Sequence, residues 1–282
     1  MSAVAVVTDS TAYLPADLVE RHRLTVVPLQ IAIGGAVRDE SDLTTAEAAR
    51  ALKDWHPVTT SRPAPERFAH AYKAAAGAGA HEIVSVHLSA AMSGTVEAAR
   101  LAAEEAPVPV HVVDSGTIGL GLGFAALSAA AAALRGEDAA AAVAAARRRA
   151  GESRSLFYVD TLEHLRRGGR IGAATNLLGS ALMVKPLLGI ADGRIAPLEK
   201  VRTSSRALAR LAELAVAEAG DRPVDLGVQH LAAESRAETL AARLRERIPN
   251  VEDIYLGEVG PVIGAHVGPG MLGVVVAPQL PR

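Results

Sequence analysis

Apolar and polar positions fall into two textures along this chain. In the first half, short β-branched runs are separated by stretches whose apolar residues recur at helical spacing. "VAVVTDS" (4–10) reads as a strand running into a polar loop, and "PADLVERHR" (15–23) as a helix with Pro15 in an N1-like position. "LTVVPLQIAI" (24–33) is extended, while "TTAEAARALKDW" (44–55) and "APERFAHAYKAAAGAG" (64–79) are helical, the second closed by glycine. "EIVSVHLS" (82–89), a helix over "GTVEAARLAAEEA" (94–106), and "VPVHVVDS" (108–115) continue the alternation. Strands separated by helices of this length predict a parallel sheet covered on both faces.

After about residue 153 the texture changes. "SLFYVDT" (155–161) is a strand, and a Gly- and Arg-rich loop, "RRGGRIGAA" (166–174), follows it. "MVKPLLGIADGRIAPLEKVR" (183–202) predicts a hairpin with Asp192-Gly193 at its turn. A helix over "SSRALARLAELAVAEAG" (204–220), a further strand and helix, and a final strand pair around "GAHVGPG" (264–270) complete the pattern. A hairpin inside this half implies a mixed sheet. The expectation is an α/β protein of two domains, residues 1–153 with a parallel sheet flanked by helices and residues 154–282 with a mixed sheet.

Composition narrows what these elements do. The chain has 282 residues, half of them hydrophobic but only 3% aromatic, so its core is built from Ala, Val, Leu and Ile. A formal net charge of -2 argues against covering nucleic acid, which needs concentrated positive charge. The absence of cysteine excludes disulfides, thiolate metal sites and cysteine nucleophiles. Nine histidines show no metal-ligand spacing, so no metal or cofactor is expected. "MSAVAVVTDS" lacks the charged start of a secretory signal. The Ala-rich run after residue 119 breaks at Gly136-Glu137-Asp138 and reads as two helices, without membrane insertion. A cytoplasmic location is the expectation.

Candidate chemistry collects in loops at strand ends, where open α/β sheets take ligands. "TDST" (8–11), "LSAAMSGT" (88–95), "DS" (114–115) and a loop "PVTTSRPAP" (57–65) are rich in hydroxyls and poor in ionised groups. Ser93 and Gly94 stand where a loop meets a helix; the hydroxyl caps that helix, or joins its first amides in facing an anion. Thr60 and Ser61 carry the same two readings. "GLGLG" (119–123) has the wrong spacing for a dinucleotide fingerprint and reads as close helix packing. Arg170 of "RRGGRI" belongs to a solvated loop, or reaches a carboxylate or a protein partner. "GAHVGPG", with three glycines and a proline, reads as a loop presenting His266. No G-x-S-x-G elbow is present, and a triad of Ser10 or Ser93 with His266 and an aspartate would be defined only by geometry.

Seven stretches in order, from "VVTDSTAYLP" through "TTSRPAPERF", "LSAAMSGTVEAA", "VVDSGTIGLGLG", "YVDTLEHLRRGGRIG" and "LLGSALMVKPLLGIADGRIAPLEKVR" to "GEVGPVIGAHVGPGMLGVVV", resemble the DegV family of bacterial fatty-acid-binding proteins. The resemblance implies a DegV-like two-domain fold and a buried long-chain fatty acid. Its carboxylate would be held by Thr60, Ser61, Ser93, Gly94, Thr95 and His266. It also implies a separate fatty acid kinase partner, which phosphorylates the carboxylate with ATP to an acyl phosphate for phospholipid synthesis, with Arg170 near the head group or the docking face. The chain itself would then be a carrier and not an enzyme. Ala90, Met92 and Ala64 depart from the family pattern and leave fewer donors around the head group. The alternatives are a serine hydrolase of acyl esters and a lipid sensor without a kinase.

Overall fold

The computed structural model describes residues 4–54, 56–177 and 185–279. Three readings made above touch residues outside these: the absent signal at Met1–Ala3, the end of a helix at Trp55, and the start of the hairpin with the shared "LLGSALMV" stretch up to Val184.

In chain order the elements are β1 (Val4–Asp9), α1 (Ala16–Arg21), β2 (Leu24–Val27), β3 (Gln30–Ile33), β4 (Ala36–Asp39), α2 (Thr45–Lys53) and β5 (Val58–Ser61). Next come α3 (Pro65–Gly77), β6 (Glu82–His87), α4 (Thr95–Ala103), β7 (Val110–Asp114), α5 (Leu120–Leu134) and α6 (Ala139–Glu152). The remainder is β8 (Arg154–Tyr158), α7 (Glu163–Arg167), β9 (Lys185–Ala191), β10 (Arg194–Val201), α8 (Ser204–Ala219), β11 (Val224–His230), α9 (Glu234–Arg247), β12 (Val251–Glu258), α10 (Pro261–Val267) and β13 (Leu272–Pro278).

The chain divides into two compact units. One holds residues up to Gln30 with Ser61–Glu152; the other holds Ile31–Thr60 with Ser153 onward. A single cut near residue 153 therefore does not describe the division, because residues 31–60 go with the second unit.

The first unit is built on a parallel sheet in the order β2-β1-β6-β7. Alternation along β1 and β6 sends Val7 and Ile83 into a core with Phe68 and Tyr72 of α3 and Ala98 and Ala99 of α4. Val6 and Val84 face the other way and are equally buried, on the side where α5 and α6 pack together against β1 and β6. Alanine at so many helix positions lets these helices approach closely. Within "GLGLG", a Cβ on Gly123 would fall 2.9 Å from the carbonyl oxygen of Ala12, so the close-packing reading of that motif holds.

The α3–α4 face of this sheet also carries a buried polar chain. Asp9, at the carboxyl end of β1, accepts from the backbone N–H of Thr11 at 3.1 Å and of Leu88 at 3.0 Å. Its Oδ2 lies 3.1 Å from Nδ1 of His87; His87 Nε2 lies 2.7 Å from Ser85 Oγ, which is 2.9 Å from the Tyr72 hydroxyl. Burial pushes the Tyr72 phenol up to about 12. The chain ties the ends of β1 and β6 together and so sets where the "TDST" and "LSAAMSGT" loops begin.

The second unit holds a mixed sheet in the order β10-β9-β8-β13-β11-β12, in which β11–β12 is the parallel pair. The β9–β10 hairpin turns on Asp192 and Gly193 at φ 49 and 71, the paired positive values that favour this dipeptide. Alanine and leucine on α8 (Ala207, Leu211, Ala215) pack on Leu226, Val228, Leu272 and Val274 of the sheet. A smaller sheet, β4-β3-β5, accompanies it. Two expectations are corrected here. Residues 58–61 form strand β5 and not a loop, because the β-branched run Val58-Thr59-Thr60 pairs as a strand before Pro63 ends it. The chain around His266 is not flanked by a strand pair, since β12 and β13 each pair with β11 and not with each other.

Asp9→Ala strips two backbone amides and His87 of their acceptor. The expected cost is about 3 kcal/mol or more, at 1–3 kcal/mol for each buried group left unpaired. A urea unfolding curve checks this, and a midpoint equal to that of the parent would refute it.

Candidate functional site

In the second unit the site grows from a short helix with an unusual sequence. α10 begins at Gly260-Pro261, a proline in the first turn where no N–H is needed, and ends at Val267. Contrary to the loop expected from its glycines, Gly264–Val267 is helical, and His266 lies in the last turn. The break comes one residue later, where Gly268 and Gly270 take φ of 73 and 91. Glycine is required at both positions for a second reason. A Cβ on Gly268 would fall on the His164 ring, and one on Gly270 on the Asp160 carboxylate.

The imidazole of His266 is fixed on two sides. Its Nε2 lies 2.8 Å from Oγ1 of Thr60, which β5 projects toward it. Its Nδ1 is buried without a hydrogen-bond partner among the described residues, against Gly168, where any Cβ would fall on the ring. Gly168 follows α7, and the Arg170 guanidinium donates to its carbonyl oxygen at 2.7 Å. Burial, with the nearby Arg170 charge adding to it, pushes the His266 imidazole down to about 4. The ring is therefore neutral at pH 7.

A residue that sequence reasoning missed sets the helix itself. Glu40, 5% exposed, accepts from the backbone N–H of Val262 at 2.8 Å and so caps α10. Carboxylates are favoured at such a helix N-terminus. Asp160 and His164 were also missed as site supports. The Tyr158 hydroxyl donates to Asp160, Lys185 Nζ donates to the Asp160 carbonyl at 3.0 Å, and burial pushes His164 down. The glycines of "RRGGRI" and "GAHVGPG" were the available signal, because each marks a place where another side chain occupies the room of a Cβ.

The remaining candidates lie in the first unit. Ser93 Oγ accepts the Thr95 N–H at 3.3 Å and is 2.8 Å from the Thr95 hydroxyl, itself buried. The residue before α4 is Gly94, whose side carries Arg62 close enough that a Cβ would meet its Nη1 at 2.7 Å. Arg62 in turn donates to Glu97 at 2.8 Å. Ser61 is exposed and donates to Gln30 Oε1 at 3.4 Å. Neither Thr60 nor Ser61 caps α3, which starts at Ala64 and Pro65 without a side-chain cap. The structure thus brings Thr60, His266 and Arg170 together, and separately Ser93, Gly94 and Thr95.

The one Ser–His–Asp series among the hydrogen bonds described above is Ser85–His87–Asp9, and all three residues are 0% exposed. No substrate reaches this series. Among the described residues no cluster of His, Asp or Glu is placed to hold a metal ion. No helix among them is long and apolar enough to cross a membrane.

Fold and site together define a two-unit α/β protein whose polar side chains gather on loops and helix ends beside its sheets. The chain belongs to the DegV family: the model for "Uncharacterised protein, DegV family" matches residues 3–279. A DegV domain-containing protein of Streptomyces coelicolor is 58% identical over 275 residues, covering 97% of this chain and 98% of its own. Among solved structures, a DegV family protein from Thermus thermophilus described by its fatty acid binding superposes with a TM-score of 0.92 at 34% identity, over 99% of this chain and all of that one. DegV of Bacillus subtilis, described as a fatty acid binding protein, gives 0.90 at 32% identity, again over 99% of this chain and all of its own.

Two outcomes follow from the geometry. Gly168→Ala forces the His266 ring to move, at about 1–3 kcal/mol for overpacking; a lowered urea midpoint with altered His266 ring shifts is expected, and an unchanged ring would refute the contact. The unfolded chain protonates His266 near pH 6.5, the folded one only near 4. Its stabilising share is thus full above about 6.5 and is lost as pH falls toward 4. Over that window stability should fall less steeply with acid in His266→Gln than in the parent, by chemical denaturation at successive pH values.

Proposed function

We propose that this protein binds a long-chain fatty acid, holds its carboxylate with neutral donors, and presents it to a separate ATP-dependent fatty acid kinase that makes the acyl phosphate. The observation that carries the reading is the whole-chain likeness to solved DegV proteins described as fatty acid binding. The chemistry of the chain agrees with it. Sixteen or so carbons taken from water contribute on the order of ten kcal/mol, at about 0.8 per CH₂, before the losses of association. A dry aliphatic lining suffices for that, and this chain is half hydrophobic with little aromatic content.

The head-group donors in this reading are Thr60, Ser61, Ser93, Gly94, Thr95 and His266, with Arg170 near the head group or facing the kinase. The geometry around His266 refines its part. Buried N–H groups without a partner are rarer than under-used acceptors, so the ring proton belongs on Nε2 and the bare nitrogen is Nδ1. Nε2–H then donates to Thr60 Oγ1, which leaves the Thr60 hydroxyl proton free for the carboxylate. His266 orients the donor, and Thr60 makes the contact.

Solvent extraction of the natively purified protein, followed by mass spectrometry, should release a long-chain fatty acid; repeated absence of any would defeat the reading. Thr60→Val should weaken fatty acid binding by tenfold or more, the loss of one hydrogen bond to a charged group. The matching fatty alcohol should bind both forms with less difference, because the tail supplies most of its affinity. Adding the organism's fatty acid kinase and ATP should yield acyl phosphate, and a sensor without a kinase would yield none.

A further inference from the structure

Two Asp-Ser pairs of the first unit, in "TDST" (8–11) and "DS" (114–115), have no part in the head-group contacts proposed above, yet both flank the loop that carries Ser93. β6 lies between β1 and β7, with Thr8 in register with Val86 and His87 in register with Asp114. Asp9 and Asp114 therefore close the strands on either side of β6 at the level where the "LSAAMSGT" loop leaves it.

Both aspartates use their side chains in the same way. Each folds back on its own chain, accepting the N–H two residues on: Thr11 for Asp9 at 3.1 Å and Gly116 for Asp114 at 2.9 Å. Each also reaches across to the β6 loop. Leu88 N–H donates to Asp9 Oδ2 at 3.0 Å, and Ala90 N–H to Asp114 Oδ1 at 3.1 Å. Between them, Ser89 N–H donates to the Thr117 carbonyl oxygen at 2.9 Å. The rest of the loop turns on Ser89. Its hydroxyl oxygen accepts the Ala91 N–H at 3.2 Å, and its carbonyl oxygen those of Met92 and Ser93 at 3.0 and 3.1 Å. Thr95 N–H donates to Ser93 Oγ at 3.3 Å. Of the backbone donors from Leu88 to Thr95, the Gly94 N–H alone has no partner among the described residues. The loop spends its other amides on its own shape and keeps this one for a ligand or water.

We infer that Asp114 is a positioning residue for the head-group loop, acting through Ala90 on Ser93 and Gly94, an inference that rests on the fatty acid reading proposed above. Asp9 is fully buried and shared with His87, so its loss falls on the core of the unit. Asp114 is exposed, and its Oδ1 joins the Ala90 and Gly116 amides. Without that oxygen both N–H groups turn to water, and the turn at Ser89 loses its tie on the β7 side. Donors held in place before a ligand arrives cost less ordering when it binds, and that saving is what Asp114 supplies. In the fatty acid reading this loop meets the carboxylate while the tail provides most of the affinity, so the effect of Asp114 falls on the head group.

The test measures binding of palmitate and of hexadecanol to the lipid-free full chain as the parent, as Asp114→Ala and as Asp114→Asn. Asp114→Ala should weaken palmitate about tenfold and hexadecanol about twofold or less. A merely structural role would weaken both lipids alike. Asn offers its amide oxygen to the same two N–H groups, so Asp114→Asn should bind palmitate within about twofold of the parent. In amide NMR spectra the Ser93, Gly94 and Thr95 signals should move in Asp114→Ala and return in Asp114→Asn. Unchanged palmitate binding in Asp114→Ala, equal losses for acid and alcohol, or an Asn variant no better than the Ala variant would overturn the inference and leave the proposed function standing. A parent that binds neither lipid would defeat the proposed function and this inference with it.

Discussion

The second unit depends on a reciprocal steric fit between two loops that are distant in sequence. The His266 ring occupies the space a side chain at Gly168 would need, and the His164 ring occupies the space a side chain at Gly268 would need. Each motif supplies one imidazole and one glycine to the other. Protein interiors are packed densely enough that a single methyl group at either glycine must displace a ring. The Asp160 carboxylate against Gly270 extends the same fit to the end of the turn. The position of His266, and through it the orientation of Thr60, follows from these contacts before any ligand is considered.

Residues 31–60 belong with the second unit for reasons of the same kind. Glu40 caps the helix that carries His266, and Thr60 bonds to its ring. One end of this segment holds the helix and the other holds the imidazole, so its three strands and helix serve as a brace for α10. The boundary between the units then falls inside "TTS", with Thr60 in one unit and Ser61 in the other. Strand alternation puts their side chains on opposite sides of β5, and their partners differ accordingly: His266 for Thr60 and Gln30 for Ser61.

Much of this architecture is legible in the residues alone. Period-two and helical spacing predict the parallel sheet of the first unit and the Asp-Gly hairpin of the second, because each rests on local chemistry. The errors fall where tertiary contacts override local preference. "PVIGAHV" contains glycine and β-branched residues and reads poorly as a helix, but Glu40 and the packed rings hold it in one. "VTTS" lies between prolines and reads as a loop, but pairing in a small sheet makes it a strand. The Thr60–His266 bond spans 206 residues, and no local pattern encodes it. Composition likewise could not separate the hydroxyls that brace a loop, such as Ser93 on Thr95, from those left free for a ligand.

The neutral character of the Thr60–His266 pair is itself a constraint on function. Burial and the Arg170 charge both oppose protonation of the ring, so the imidazole itself stays neutral and the positive charge beside it is that of Arg170. A guanidinium clamp would bind such a group more tightly, but would draw electron density from the oxygens and occupy the directions from which a phosphoryl donor approaches. A hydroxyl oriented by a neutral imidazole is, in the proposed function, one of the donors that hold the carboxylate. In the proposed function the tail supplies retention and the head group supplies only orientation. A carrier that passes its cargo's reactive end to another protein requires that separation, and an enzyme acting on the same group would need the opposite.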